Sequence, residues 1–188
     1  MCPLQVTQPF KTFLICRYIV ERTGDFNPEL HDNITALHFA AKLGHLEIYQ
    51  FLLKNVDDEH PVDLYENTPY HCAVENNQLE VCRFIMKTLD VKNPIDGSGY
   101  TPLHWAALNG FIEMCDLLIQ SIEDKNPRNN EGWTPLHFAA KEGHFDICQL
   151  IASHLEDKNP VTDSGKTPKQ LMKAYIRKLN KDTNDLFQ

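Results

Sequence analysis

Histidine and cysteine are the residues of this 188-residue chain whose chemistry first invites attention, with nine of the former and six of the latter. Imidazoles and thiolates bind metals, and both take part in acid–base or nucleophilic catalysis. Here, however, both residue types are periodic. Four histidines recur at one constant interval, at His38, His71, His104 and His137. Four cysteines share another position of the same period, whose fifth member is Tyr49: Cys16, Cys82, Cys115 and Cys148.

The spacing argues against disulfides between these cysteines. Equivalent positions in packed helical units lie about 10 Å apart, whereas a disulfide requires Cα atoms within about 7 Å of each other. We therefore interpret the repeated cysteines as buried structural thiols. Unpaired thiols suit a reducing compartment, so the sequence favours the cytoplasm or the nucleus.

Motifs for catalysis and cofactor binding are absent from the sequence. It contains no Cys-x-x-Cys pair, no Gly-x-Ser-x-Gly nucleophile elbow and no glycine-rich phosphate loop of either common type. Gly97-Ser98-Gly99 is interpreted as a turn. We predict that the chain is not an enzyme and that it holds no cofactor and no metal ion.

The histidines belong to a longer repeat with the same constant interval. It begins at a threonine that is usually followed by proline, and the five threonines are Thr35, Thr68, Thr101, Thr134 and Thr167. A second proline recurs in step, at Pro28, Pro61, Pro94, Pro127 and Pro160. The period is 33 residues, as from Thr101 to Thr134. A period between about 20 and about 50 residues indicates an array of supersecondary units that must stack in order to bury their apolar faces.

Each unit is predicted to contain two helices and a turn. In the unit at Thr134, the threonine is a good N-cap and Pro135 suits the first helical position. Gly143 is predicted to end the first helix, and apolar residues at i, i+3 and i+4 from Phe145 indicate the second. The predicted fold class is all-α, a solenoid of helix-turn-helix units joined by short β-turn or hairpin loops.

The motif Thr-Pro-Leu-His-x-Ala-Ala and the length of the unit resemble the ankyrin repeat over about residues 27–175. The resemblance implies that the repeated histidines tie neighbouring loops through imidazole hydrogen bonds. It also implies a concave face, built from turn tips and first helices, that binds proteins. His45 and His144, which follow the glycine that ends the first helix, are interpreted as local loop ties.

We predict one ankyrin-repeat domain over 1–188. It comprises an N-terminal capping unit at 1–26, four full repeats at 27–165 and a basic C-terminal capping unit with degraded helices at 166–188. The turn glycine of other units is replaced by Asn33 and Glu66. Glutamate does not readily adopt a positive φ, so the Glu66 turn is predicted to be strained or rebuilt.

Positions that vary between units are the candidates for binding a partner, because positions that hold the stack must repeat. Those predicted are Ile34, Leu43, Tyr65, Asn76, Tyr100, Leu108, Asn109, Trp133, Lys141 and Glu142. Tyrosine and tryptophan dominate the energetics of many interfaces. The alternative for Tyr100 and Trp133 is that they only pack over the neighbouring turn. Trp105 is interpreted as partly buried core.

The predicted function is a protein–protein interaction module, either an adaptor or an inhibitor that masks its target. The alternative is the targeting arm of a larger protein, such as an enzyme subunit or channel. The net charge is −8, but residues 166–188 hold six Lys or Arg against two Asp, so the rest of the chain carries −12. This acidity argues against nucleic acid and favours a protein segment with apolar anchors and basic flanks. We expect a monomer, with no membrane as a partner.

The resemblance also implies candidate modification sites. In many ankyrin repeats an oxygen-dependent asparaginyl hydroxylase modifies a turn asparagine. The matching residues here are Asn27, Asn93, Asn126 and Asn159. Each is followed by proline, whereas the family usually has alanine at that position.

Overall fold

The computed structural model describes residues 26, 31–89 and 93–186 of the chain. Within these residues the regular structure is helical, without β-strands. A short 3₁₀ turn at His31–Asn33 comes first. The α-helices that follow are α1 (Ala36–Lys42), α2 (Leu46–Leu53), α3 (Pro69–Glu75), α4 (Leu79–Thr88), α5 (Pro102–Asn109), α6 (Ile112–Ser121), α7 (Pro135–Glu142), α8 (Phe145–Ser153) and α9 (Pro168–Leu186).

Two compact units share these helices, divided between Thr88 and Leu89. In the first unit, α1 packs on α2 and α3, and α3 packs on α4. In the second unit, α5 packs on α6 and α7, and α7 packs on α8 and α9. The single domain, its four repeats and its two capping units stay predictions. Of the N-terminal cap at 1–26, all but Phe26 lies outside the described residues.

The first helix of each pair begins at the repeated threonine. Thr101 is extended, with φ −97° and ψ 167°, and Pro102 occupies the first helical position. The missing N–H of proline costs nothing there, because the first N–H groups of a helix have no intrahelical acceptor. The same arrangement of threonine and proline starts α3 and α7.

The first helix ends where a residue adopts the left-handed conformation. Gly110 has φ +79° and Gly143 has φ +78°, and Asn77 takes φ +55° at the same repeat position. This reversal sets the chain up for the antiparallel second helix. The corresponding residue of the last unit is Ile176, and here the helix does not end. Instead of the separate helices expected of the C-terminal cap, α9 is one continuous helix as far as Leu186.

The buried thiols agree with the interpretation of the periodic cysteines. Cys82 and Cys115 are fully buried and unpaired, whereas Cys148 is partly exposed. Burial raises the pKa of Cys115 to about 12 and that of Cys148 to about 11, so both remain protonated thiols at neutral pH. Cys16 lies outside the described residues.

Three of the repeated histidines, His38, His104 and His137, tie one loop to the next, as the resemblance implied. The Nδ1 atom of His104 accepts a hydrogen bond from the Thr101 backbone N–H at 3.0 Å. That nitrogen is therefore unprotonated, and the proton of a neutral ring lies on Nε2, which donates to the Trp133 carbonyl at 3.1 Å. His38 and His137 contact the carbonyls of Asn67 and Lys166 in the same way.

Desolvation keeps these imidazoles neutral. It lowers the pKa of His104 from 6.5 to about 4, although the bond to the Trp133 carbonyl acts in the opposite direction. The pKa values of His38 and His137 are also lowered, for the same first reason. A protonated ring would lose its acceptor at Nδ1, so protonation is coupled to loss of the threonine cap.

The turn at Glu66 is strained, as the sequence predicted. Glu66 has φ +61°, in the left-handed region that Gly99 and Gly132 occupy in the second unit. A side chain in this region costs about 1–2 kcal/mol relative to a right-handed conformation. The hydrogen bond from the Glu66 N–H to the Asp63 carbonyl at 3.0 Å keeps the turn closed despite this cost.

We predict that Glu66→Gly stabilises the protein by about 0.5–1 kcal/mol, because the relief of strain exceeds the extra entropy of glycine in the unfolded chain. Urea unfolding measures the change. As a control, Gly99→Ala should destabilise, since a Cβ there would lie 2.6 Å from Asn130 Oδ1. A lower stability of Glu66→Gly than of wild type would contradict the account of this turn.

A second prediction concerns pH. Unfolded His104 takes up a proton near pH 6.5, whereas folded His104 resists until about pH 4, so stability present above pH 6.5 is lost as the pH falls through this window. In His104→Gln the amide oxygen should replace Nδ1 as the acceptor, as Gln170 Oε1 does for the Thr167 N–H at 3.0 Å.

Urea unfolding at about pH 7 and about pH 4.5 compares the two proteins, and the wild type should lose on the order of 2 kcal/mol more than His104→Gln. Equal losses would show that His104 is not the titrating group.

Candidate functional site

A ladder of aromatic rings crosses the second unit. Tyr100 and Trp133 precede the capping threonines of α5 and α7, and their rings turn back over these helices. Tyr100 lies 5.3 Å from the Trp105 ring and 5.1 Å from the Phe138 ring, between centroids. Trp133 lies 5.0 Å from Phe138 on its other side. The order along the ladder is therefore Trp105, Tyr100, Phe138, Trp133.

These tilted, offset contacts are typical of stabilising aromatic pairs. Within the ladder Phe138 is buried, whereas Tyr100, Trp105 and Trp133 each keep part of their surface in water. Lys166 extends the ladder by one step, with its Nζ atom 5.9 Å from the centre of the Trp133 ring. Tyr100 and Trp133 are thus half-buried and packed against neighbouring rings.

Trp105 is held by a buried carboxylate. Its indole N–H donates to Asp96 Oδ2 at 3.1 Å, while Asp96 Oδ1 accepts the backbone N–H groups of Ser98 and Tyr100, both at 2.9 Å. Asp96 therefore fixes the turn and the indole together. Three donors around one carboxylate compensate for its burial.

Asp96 belongs to a periodic position that the sequence analysis missed. Its members are Asp63, Asp96, Asn129 and Thr162, and each accepts at least one backbone N–H of its own turn. In the repeat that contains Asn129, the position equivalent to Trp105 is Phe138, whose side chain has no N–H that needs an acceptor. The signal was available, since a short acceptor side chain recurs at the second position after four of the five periodic prolines, and only Pro28 is followed there by a leucine, Leu30.

Electrostatics around Tyr100 keep its phenol neutral. Burial raises the pKa of Tyr100, and the carboxylates of Glu131 and Asp96 raise it further. The ladder therefore offers neutral aromatic surface, with the exposed Glu131 at one turn tip and Lys166 at the next.

The other predicted residues of the second unit are partly engaged with the protein itself. Leu108 is half-buried, and its carbonyl contacts His144 Nε2 at 3.2 Å. Asn109 donates from its amide to the Trp105 carbonyl at 2.9 Å. Lys141 and Glu142 form an ion pair of 3.1 Å with each other.

In the first unit the predicted residues are more exposed. Tyr65 is 71% exposed and Leu43 is 57% exposed, whereas Ile34 is half-buried. The amide of Asn76 donates to the Cys72 carbonyl at 2.9 Å, as Asn109 does one repeat later. Exposed Phe39 and Leu64 add apolar surface that the sequence analysis did not include.

The interpretation of His144 as a local tie was wrong. Its bond to the Leu108 carbonyl spans 36 residues and connects the start of α8 to the end of α5, the first helix of the preceding repeat. Gln78 does the same in the first unit, where its amide donates to the Lys42 carbonyl at 3.1 Å. Both side chains are long enough to reach back by one repeat.

Comparison of the sequence with protein families supports this geometry. A family model described as ankyrin repeats (3 copies) matches residues 10–95 and 89–163, which is most of the chain. The chain belongs to the ankyrin repeat family. The ankyrin-repeat fold class predicted from the sequence is therefore confirmed. A comparison with curated proteins finds no match.

Ankyrin repeats are general modules for protein–protein interaction and are typically not enzymes. Among the residues that the structure describes, no helix combines the length and the apolar character needed to cross a membrane. Within the same residues, no group of three or more histidine, cysteine or carboxylate side chains is arranged to hold a metal ion.

The candidate ankyrin hydroxylation sites differ in their surroundings. The amide oxygen of Asn126 accepts the Leu136 N–H at 3.5 Å, and that of Asn159 accepts the Lys169 N–H at 3.4 Å. The side-chain oxygen of Asn93 is buried. Asn27 lies outside the described residues. Their hydroxylation stays a prediction.

We predict that Asp96→Asn destabilises by about 1–2 kcal/mol, because an amide that accepts both backbone N–H groups must turn its own NH₂ toward the Trp105 N–H. Urea unfolding of Asp96→Asn, of Trp105→Phe and of the double variant measures the coupling between the two side chains. Trp105→Phe should cost less in the Asp96→Asn background, by about 1 kcal/mol, since it recreates the Asn129–Phe138 pair. Additive effects of the two substitutions would contradict this pairing.

Proposed function

We propose that this ankyrin-repeat protein acts as an adaptor or masking inhibitor that binds a partner protein through its turn tips and first helices. The observation that carries the proposal is the aromatic ladder of the second unit. Its rings lie at positions that vary between repeats, whereas the threonines, histidines and alanines that hold the stack recur. In the first unit, the exposed Tyr65 at a turn tip and the exposed Leu43 at the end of α1 are proposed to contact a partner independently of the ladder.

The packing of Tyr100 and Trp133 favours this use. A side chain already held by neighbouring rings loses little conformational entropy when a partner contacts it. Tryptophan and tyrosine that are partly buried and prepositioned are typical hot spots, each contributing about 2 kcal/mol or more. The contact that organises a ring within the ankyrin unit therefore also prepares it for binding.

Charge supports a partner segment with apolar anchors and basic flanks. The chain outside 166–188 carries −12, so long-range attraction favours basic partners and disfavours nucleic acid. At close range, Glu131 places a carboxylate beside the ladder. A lysine or arginine of the partner can pair with this carboxylate and also contact the faces of the rings.

We also propose that the protein is a monomer and that it acts in the cytoplasm or nucleus. The thiols of Cys82 and Cys115 are fully buried and unpaired, which suits a reducing compartment. A masking inhibitor and an adaptor use the same surface and differ in whether the occupied part of the target is its own active surface.

The test is to identify partners by cross-linking mass spectrometry in the native cell and to measure their affinity for variants. Tyr100→Ala and Trp133→Ala should each weaken binding by about 2 kcal/mol, which is roughly thirtyfold. Ile112→Ala is the control, because Ile112 is an apolar side chain of α6 that is 42% exposed and lies outside the ladder. Circular dichroism checks that the variants fold.

Glu131→Lys probes the charge without altering the packing of the rings, because Glu131 is exposed. It should slow association, and the effect should shrink as salt is added. If every partner binds the folded Tyr100→Ala/Trp133→Ala double variant as well as wild type, the proposed surface is wrong.

A further inference from the structure

The last helix leaves a second face of the protein uncovered. In the second unit, α6 is covered by α8, the second helix of the following repeat. Because Ile176 replaces the residue that would end the first helix, α9 runs straight on and does not fold back. Within the described residues, no second helix therefore lies over α8 as α8 lies over α6.

Side-chain burial shows the consequence at equivalent positions. On α6 and the residue after it, Cys115, Ile119 and Ile122 are buried against their neighbours. Their counterparts one repeat later are all partly exposed: Cys148, Ala152 and Leu155. Phe145, at the start of α8, is 50% exposed and extends the strip, although its counterpart Ile112 is also 42% exposed on the covered helix. The outer side of α8 is thus an apolar strip without a cover.

The helix α9, which packs on α7, also contacts α8 and the loop after it at two points. At its start, the Lys169 N–H donates to Asn159 Oδ1, in the loop that follows α8, at 3.4 Å. Two turns later, the Tyr175 ring lies 6.3 Å from the ring of Phe145, at the start of α8. The first half of α9 therefore runs antiparallel to α8.

The side of α9 that would complete the core is basic instead. Leu136 and Ala140 are buried in α7, but the corresponding residues of α9 are Lys169 and Lys173, both exposed. Arg177 follows one helical turn further along and is also exposed. Residues four apart share one side of a helix, so these three cations form a stripe.

We propose that this end face binds a single amphipathic helix of a partner protein that carries acidic residues beside its apolar side. The end face consists of Phe145, Cys148, Ala152, Leu155, Lys169, Lys173 and Arg177. The bound helix takes the place on α8 that α8 takes on α6. Its apolar side covers the strip, and its carboxylates pair with the basic stripe.

Charge decides between this occupant and two others. An anionic membrane would attract the stripe but repel the remainder of the chain, which carries −12. A second copy joined through the same face by a two-fold axis would bring two basic stripes together. An acidic helix avoids the second obstacle. The first is smaller for it, because one helix seated on α8 brings its few carboxylates next to the stripe, whereas a membrane extends its charge past the end face to the rest of the chain.

The chain itself supplies a probe with the required pattern. Residues 109–124 include α6 and contain Glu113, Asp116, Glu123 and Asp124 without any Lys or Arg. A fluorescently labelled peptide of this sequence, with blocked termini and Cys115→Ala, is titrated with the full-length protein. The comparison peptide has lysine at the four acidic positions. We expect saturable binding of the acidic peptide and none of the basic one.

Two substitutions in the protein have matched controls. Lys173→Glu should weaken binding about tenfold, whereas Lys178→Glu, an equal charge change on another side of α9, should have little effect. Phe145→Ser should weaken binding about fivefold or more, whereas Ile112→Ser, at the equivalent position of α6, should not. All four positions are exposed, so folding should be preserved, and circular dichroism verifies it.

Several results would overturn the proposal. One is failure of the acidic peptide to bind, and another is equal loss in a variant and its control. Binding of the protein to vesicles of equimolar phosphatidylcholine and phosphatidylserine, lost in Lys173→Glu, would assign the face to a membrane. A dimer in sedimentation experiments that Phe145→Ser dissociates would assign it to a second copy. The aromatic ladder is elsewhere, so none of these results bears on its role.

Discussion

The hydrogen bond from a repeated imidazole to the next turn is the interaction on which the rest of the structure depends. In the second unit, His104 accepts a hydrogen bond from the Thr101 N–H at one ring nitrogen and donates one to the Trp133 carbonyl from the other. One side chain thus caps its own helix and holds the backbone of the residue just before the next capping threonine. Such a bond fixes the start of the following helix. An inserted residue between the histidine and the next threonine would break this bond, which explains why the spacing of the repeat is constant.

The same bond connects the scaffold to the proposed binding surface. The carbonyl that accepts from the imidazole belongs to the variable turn-tip residue, which is Trp133 for His104 and Lys166 for His137. The backbone of the tip is therefore held by a repeated contact, while its side chain is free to differ. Burial keeps the imidazole neutral, so the arrangement persists at physiological pH but is coupled to protons in acid.

Much of the fold follows from sequence because its determinants are local and repeated. Threonine, proline and left-handed glycine or asparagine mark the helix ends, and even the strain at Glu66 could be predicted from a missing glycine. The Asp96–Trp105 pair was harder, because the two residues lie on a turn and on the helix after it, and their match becomes clear only beside Asn129 and Phe138. The half-burial of Tyr100 depends on which way its ring turns, which no spacing determines.

The last repeat shows how one residue type changes the topology. Ile176 stands where a left-handed residue is needed, and a β-branched side chain is especially costly in that conformation. The helix therefore continues, and the second helix that would have covered α8 does not form within the described chain. Lysines on α9 are exposed at the resulting end, and the apolar strip of α8 from Phe145 to Leu155 stays partly exposed. A polar cap of this kind leaves the side of α8 that a second helix would cover open, next to the basic stripe of α9. An apolar site beside positive charge favours an occupant that carries negative charge.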